Sequence, residues 1–340
     1  MSNNAHLTSD HAVLADFGRS CNSGLSGNHG VFTDLNIMSD LNQVVQFGTF
    51  TDDGGSKSGT VDGGSCTNFN MIFQNNIANL RHLLVIIGRR GKAETIGSLA
   101  GAGAVTLTAI LTTGGDNTST TYSGATSSSS GSITKQGSGT MTLSGTNLHT
   151  GGVTVSAGVL EVSADTNLGA VPSPAAADKV VVNGGTLSVT TGFTLSSTRG
   201  MSFGSSVGTI QVASGQTLTY GGVIANATGQ AGAFTKTGAG TLTLSGANTF
   251  TGKTIVSAGT LSIAADNNLG TAPGTAVTDQ LSINGGTLAI TTGLTMNTNR
   301  GITIGNSDGT IDVSNAQTLI YGGVIAGASS SADFTKAGAG

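Results

Sequence analysis

Apolar and polar residues alternate along most of this chain in runs of four or five. Thr140-Met141-Thr142-Leu143-Ser144 and Thr241-Leu242-Thr243-Leu244-Ser245 have this form, as do Gly152-Val153-Thr154-Val155-Ser156 and Thr186-Leu187-Ser188-Val189. A period of two over so short a run predicts β-strands with one face buried. Val153, Val155, Leu160, Leu187, Val189, Val256, Leu261 and Leu288 are the expected inward positions. Between the runs, Ser144-Gly145, Ala157-Gly158 and Asn183-Gly184-Gly185 predict tight corners with positive φ. No eleven-residue window carries a helical stripe.

The pattern repeats over a long period. Thr134-Lys135-Gln136-Gly137-Ser138-Gly139 returns as Thr235-Lys236-Thr237-Gly238-Ala239-Gly240 and as Thr335-Lys336-Ala337-Gly338-Ala339-Gly340. Asn183-Gly184-Gly185, Arg199-Gly200 and Tyr220-Gly221-Gly222-Val223-Ile224 match Asn284-Gly285-Gly286, Arg300-Gly301 and Tyr321-Gly322-Gly323-Val324-Ile325 in register. The array is therefore expected over residues 95–340, with blocks at 134–234 and 235–334 and a partial third block at 335–340. An earlier remnant ends at Tyr122-Ser123-Gly124.

Composition selects among all-β folds. Of 340 residues, 55 are Gly, 9% are charged, 4% are aromatic and none is Trp. Collagen is excluded, since there are only 3 Pro and no three-residue glycine period. A right-handed parallel β-helix has a narrow interior that suits Val, Leu and Ile and is expected to exclude charge. At about 20 residues per coil, each block would make about five coils and rise roughly 24 Å. A β-sandwich array is the competing fold.

Residues 1–94 differ in style, holding both cysteines and all but one of the five histidines. They are read as an unassigned N-terminal segment: a poorly packed or disordered lead, or a mis-called start. Leu41 to Phe47 and Phe69 to Phe73 are its candidate strands. Cys21 and Cys66 have no CxxC spacing and no nearby paired His, so a zinc site is not expected. The net charge of −4 gives no footprint for nucleic acid. No secretory signal is visible at Met1, and no apolar run spans a bilayer.

Phe234 to Gly252, followed by Val256-Ser257-Ala258-Gly259-Thr260-Leu261, closely resembles the autotransporter-associated β-strand repeat of Gram-negative type V secretion passengers. The copy from Ile133 to Leu160 departs at Met141 and at His149, where an aromatic or small residue is usual. The resemblance covers about Thr95 to Gly340. It implies a β-helical stalk at the cell surface or outside the cell, exported through an outer-membrane translocator barrel encoded in the same polypeptide. Because neither a signal nor barrel strands are visible here, the chain is expected to be a fragment of a longer passenger.

Candidate chemistry is sparse. Asp308 and Asp312 share a strand region but correspond to Val207 and Gln211 one block earlier, and the only glutamates are Glu94 and Glu161. They are read as solvated carboxylates, not as the acid and base of a glycosidase. Asp165 and Asp266 recur before Asn-Leu-Gly and are read as turn residues accepting backbone hydrogen bonds, not as calcium ligands. The loops that follow, Ala170 to Asp178 and Thr271 to Asp279, hold all 3 Pro and are the expected places for a binding site. Only His149 follows residue 82, which argues against Ser/His catalysis. Arg89, Arg90 and Lys92 form a short basic cluster read as solvated. Thr140/Thr142 and Thr241/Thr243 would suit an ice- or surface-binding face, but such pairs are expected to recur only every five or so coils.

The function expected is a structural and adhesive surface stalk, not an enzyme, with no catalytic, cofactor-binding or metal-binding residues and no cofactor. A carbohydrate-active enzyme on a parallel β-helix is the alternative. Partners expected are a host or neighbouring-cell surface or a glycan, the translocator barrel, and further copies of the chain through an open C-terminal coil at Tyr321 to Ile325.

Overall fold

The computed structural model describes residues 93–127 and 130–340, together with the strands Asn70–Phe73 and Val85–Ile87. Leu41 to Phe47, both cysteines and the Arg89–Lys92 cluster lie outside the described residues. The strand expected near Phe69 is present at Asn70–Phe73 and pairs with Ser98–Gly101.

The chain winds as a parallel β-solenoid. One face is a 12-stranded sheet running from Asn70–Phe73 to Ile325–Gly327. Two 7-stranded sheets lie on the others, one from Glu94–Thr95 to Ile224–Asn226, the second from Phe193–Leu195 to Phe334–Ala337. A 3-stranded sheet starting at Val85–Ile87 and a 2-stranded sheet of Leu294–Met296 with Leu319–Tyr321 complete the described strands. We number these faces one, two and three. No α-helix occurs among the described residues; two 3-10 turns, Asp165–Leu168 and Asp266–Leu269, are the only helical pieces there.

The alternating pattern places its apolar members inside, and every expected inward residue is buried. Met141, Leu160, Leu187 and Ile210 stack one above another on face one, as do Leu143, Val162, Val189 and Val212. Each such side chain contributes about 1.5–3 kcal/mol when withdrawn from water, which sets the register firmly. Where coils approach most closely only glycine fits: a Cβ on Gly145 or Gly246 would lie 1.9 Å from the carbonyl oxygen of Gly124 or Gly222 in the coil before.

The pitch differs from the sequence expectation. Ile133, Val153, Val180, Met201 and Ile224 form one column of face two, so 91 residues make four coils. Ten residues on, Phe234, the counterpart of Ile133, enters face one against Gly208. A block is thus four and a third coils of about 23 residues, not five of 20, and rises about 21 Å. The excess sits in the coil from Val153 to Val180, which carries the proline-rich loop. The fractional third has a geometric consequence: each feature of the second block lies one face further round the rod than its counterpart in the first.

The short start of a third block also does more than expected. Phe334–Ala337 forms a strand of its own, paired with Gly309–Val313.

Candidate functional site: a clamped loop repeated on two faces

Each block leaves one corner without strands on two successive coils, and that corner is built from asparagine. Buried Asn147 accepts from Thr126 N at 3.0 Å and donates to Asn167 O at 2.7 Å, tying three coils together. Asn167 in turn accepts from the backbone N–H of Ser163 and Ala164, both at 2.9 Å, and donates to Gly145 O at 3.0 Å. Asn248 and Asn268 repeat these bonds one block later. Side-chain amides here supply the backbone pairing that strands provide elsewhere.

Above this corner an arginine fixes the foot of the proline-rich loop. Arg199, 1% exposed, sends Nε to Asp165 Oδ1 at 3.1 Å and Nη2 to Oδ2 at 3.2 Å. Its remaining donors reach the carbonyls of Leu168 at 3.0 Å, Gly169 at 2.9 Å and Ala170 at 3.3 Å. Arg300 does the same with Asp266 and with the carbonyls of Leu269 and Gly270. Asp165 also accepts from Ser196 N at 3.2 Å. The turn reading of Asp165 and Asp266 is therefore incomplete, because their main partner is a guanidinium 34 residues away. Beyond the clamp, Val171, Ser173, Pro174 and Ala175 are exposed, as are Gly274, Thr275 and Ala276 in the second loop.

Charge is not excluded from the interior. Besides the two arginines, Lys135 and Lys236 point inward: Lys236 stacks between Ile210 and Val256 in the apolar column. Its ammonium escapes toward the corner and donates to Thr237 O at 2.7 Å, Gly238 O at 2.8 Å and Ala258 O at 3.1 Å. Lys135 makes the equivalent bonds to Gln136, Gly137 and Ala157. Three donors meet three carbonyls, which is what makes the position tolerable. Burial pushes Lys236 down to about 8. The recurrence of Thr-Lys-x-Gly-x-Gly was the available signal, since an invariant lysine before a glycine corner has carbonyls within reach.

The two blocks differ at a buried point beneath the loop foot. Phe250 meets Phe203 and Phe234 edge-on, with centroids 5.9 and 5.5 Å away, while Phe203 and Phe234 stack at 4.8 Å. In the first block the same place holds His149, fully buried, with Nδ1 2.8 Å from Thr126 Oγ1 and Nε2 without a hydrogen-bond partner. Burial first, and the nearby Arg199 charge second, push His149 down to about 4.

The carboxylates do not converge. Asp308 is exposed in a turn at φ 63° and accepts from Asp333 N at 2.9 Å, while Asp312 stands in the strand Gly309–Val313. Among the described residues no group of three His, Cys, Asp or Glu is placed to hold a metal.

Threonine contradicts the sequence expectation. Thr217, Thr241, Thr260, Thr287, Thr310 and Thr335 stack on successive coils of face three. A second column, Thr194, Thr219, Thr243 and Ser262, runs beside part of it. Counting one motif per block concealed this ladder, because different motifs within a block contribute a threonine at the same register.

Comparison with known proteins gives a common setting. The Passenger-associated-transport-repeat family matches residues 133–162 and 234–263. These are the segments that carry the lysine clamp and the strandless corner. The Adhesin BmaC autotransporter of Brucella suis is 36% identical over 155 residues, 45% of this chain. That stretch spans 4% of the adhesin's length. No solved structure matches the chain.

Proposed function

We propose that this chain, whose solenoid carries two passenger-associated-transport-repeats, is a rigid section of an adhesive stalk displayed at a Gram-negative cell surface. The observation that carries the reading is the third-of-a-turn offset between blocks. Identical clamps hold the Ala170–Asp178 and Thr271–Asp279 loops on neighbouring faces, so a longer array would present such loops all round the rod. A stiff core with variable, firmly footed loops suits contact with another cell, a host surface or a glycan from any direction. The adhesin name of the matched relative supports the same reading, under which a translocator barrel would export the passenger. The chain itself is proposed to be non-catalytic and to need no cofactor.

The test is to display residues 93–340 on an outer-membrane barrel and measure adhesion of whole cells to epithelial cells and to immobilised glycans. Adhesion should rise above that of the barrel alone. It should fall when 171–176 and 272–276 are replaced by Gly-Ser, with surface display unchanged. Full display with no gain in adhesion would leave only the stalk.

The threonine ladder favours a second reading, binding of a periodic surface such as ice or a crystalline polysaccharide. Hydroxyls at about 4.8 Å along one direction are what such a surface would match. Replacing Thr241, Thr260 and Thr287 by Lys should then abolish thermal hysteresis or sedimentation with the crystalline polymer, and leave loop-dependent adhesion intact.

A further inference from the structure

His149 sits directly beneath the loop foot of the first block. Its backbone carbonyl accepts from Ala170 N at 3.0 Å. Its Nε2 would be 2.9 Å from a Cβ on Gly169, so ring and turn are in contact. Gly169 and Ala170 are also carbonyl partners of Arg199. Near the ring stands Arg199 with its Asp165 partner, and Lys179 Nζ lies 2.7 Å from Thr150 O on the residue after His149. From the coil before, Thr126 supplies a hydroxyl at Nδ1, and the Gly152 backbone interacts with the ring from the ring's own coil. The Arg199 cation, its carboxylate already engaged, thus lies near an imidazole whose Nε2 makes no hydrogen bond of good geometry, and only the Gly152 backbone favours the charged ring. An imidazolium formed there would be a buried charge without a counter-ion, and the cheapest relief is to open the turn that covers it.

The second block repeats the corner and the clamp with phenylalanine in place of histidine, and adds a Lys253–Asp279 ion pair at the far end of its loop. Phe250 carbonyl accepts from Thr271 N at 2.9 Å, and its ring packs under Gly270 as the His149 ring packs under Gly169. Arg300 and Asp266 repeat the clamp, and Gln280 reaches Thr251 O where Lys179 reaches Thr150 O. Phenylalanine cannot take a proton.

We propose that His149 makes the first loop acid-releasable: on protonation the 163–178 turn and loop detach from the rod, while the 264–279 loop, footed on Phe250, stays closed. The direction follows from linkage. An ordinary histidine in the opened state takes up a proton below about 6.5, whereas the closed state holds the ring neutral down to about 4. Opening therefore becomes easier as pH falls through that window and gains nothing further below it. A shift of this size corresponds to a rise in the opening constant on the order of a hundredfold. The Asp165–Arg199 and Asp266–Arg300 pairs are common to both blocks, so comparing the two loops sets the buried histidine against the buried phenylalanine.

The experiment is hydrogen–deuterium exchange on the whole chain at pH 7 and pH 4.5, with labelling times scaled to intrinsic exchange. Protection of peptides over 163–178 should drop selectively in acid while those over 264–279 hold. His149→Phe should abolish the drop, and Phe250→His should confer it on the second loop. The comparison of the two loops within the unaltered chain needs no variant to fold. If both loops lose protection together, or if His149→Phe keeps the full drop, the proposal is wrong.

Discussion

Arg199 Nε lies 3.1 Å from Asp165 Oδ1, and one block later Arg300 Nε lies 3.2 Å from Asp266 Oδ1. Both arginines are 1% exposed and both carboxylates keep an edge to solvent, at 16% and 20%. The guanidinium is thus the buried partner, and its charge is met by one carboxylate and by the carbonyls that end the 3-10 turn. Arg suits this site because its planar fork can pair through two nitrogens with the carboxylate and still reach the carbonyls, a geometry that a lysine's single ammonium does not offer.

Truncating the arginine removes the donor from those carbonyls and leaves the carboxylate only a backbone N–H. Arg300→Ala is expected to lower stability by about 3 kcal/mol, and Arg300→Lys by less than that, since one cation remains. Urea unfolding followed by circular dichroism measures both. Arg300→Ala within ~0.5 kcal/mol of the parent would show that water replaces the clamp.

Lys236 and Lys336 occupy the same motif in different surroundings. Lys236 is buried between coils, while Lys336, which donates to Gly338 O at 2.8 Å, is exposed. Lys236→Met keeps the stem and removes the donors, so the cost is that of orphaned carbonyls, about 1–3 kcal/mol. Lys336→Met should fall within ~0.5 kcal/mol of the parent. Equal effects at the two positions, read by the same urea titration, would refute a role for the inward ammonium.

Much of the fold was legible because alternation and burial are the same statement in a parallel coil. Val153, Val155, Leu187 and Leu288 could be placed inside from period alone. The buried lysines and arginines were not, since charge argues for the surface until a specific set of carbonyls is known to surround it. Asn147 and Asn248 were missed for a similar reason: polar residues beside glycine read as turns, and only the three-coil stack shows what they join. The ladder from Thr217 to Thr335 required the register itself. The matching of Asp165 with Asp266 and of Arg199 with Arg300 was visible, but nothing local pairs residues 34 apart.

Gly246 tests the coil spacing. A methyl group there would meet Gly222 O at 1.9 Å, and backbone cannot yield as a side-chain tip can. Gly246→Ala should therefore either separate the coils or prevent their closing, at a cost of about 1–3 kcal/mol or more for the overpacked site. Gly229, with nothing within 4 Å of a built Cβ but φ 74°, should cost less, through backbone strain alone. Thermal melts of the two variants rank them, and the opposite order would contradict the spacing.

The last coil carries a prediction about association of the 340-residue chain. Ile224 and Phe234 are fully buried, whereas their counterparts Ile325 and Phe334 are 41% and 44% exposed, and Val324 stands at 68%. Ile302, Ile311, Leu319 and Tyr321 line a hollow beside them. What covers the earlier set is simply the following coil, so this face presents apolar side chains and the unpaired strand groups of Ile325–Gly327 and Phe334–Ala337 together. The purified chain is expected to self-associate through it, with an average mass by light scattering that rises with concentration. Appending a second copy of residues 241–340 moves the same face outward and should leave association unchanged, whereas Ile325→Ser with Phe334→Ser should weaken it. A concentration-independent monomer would mean that another part of the chain already covers these residues.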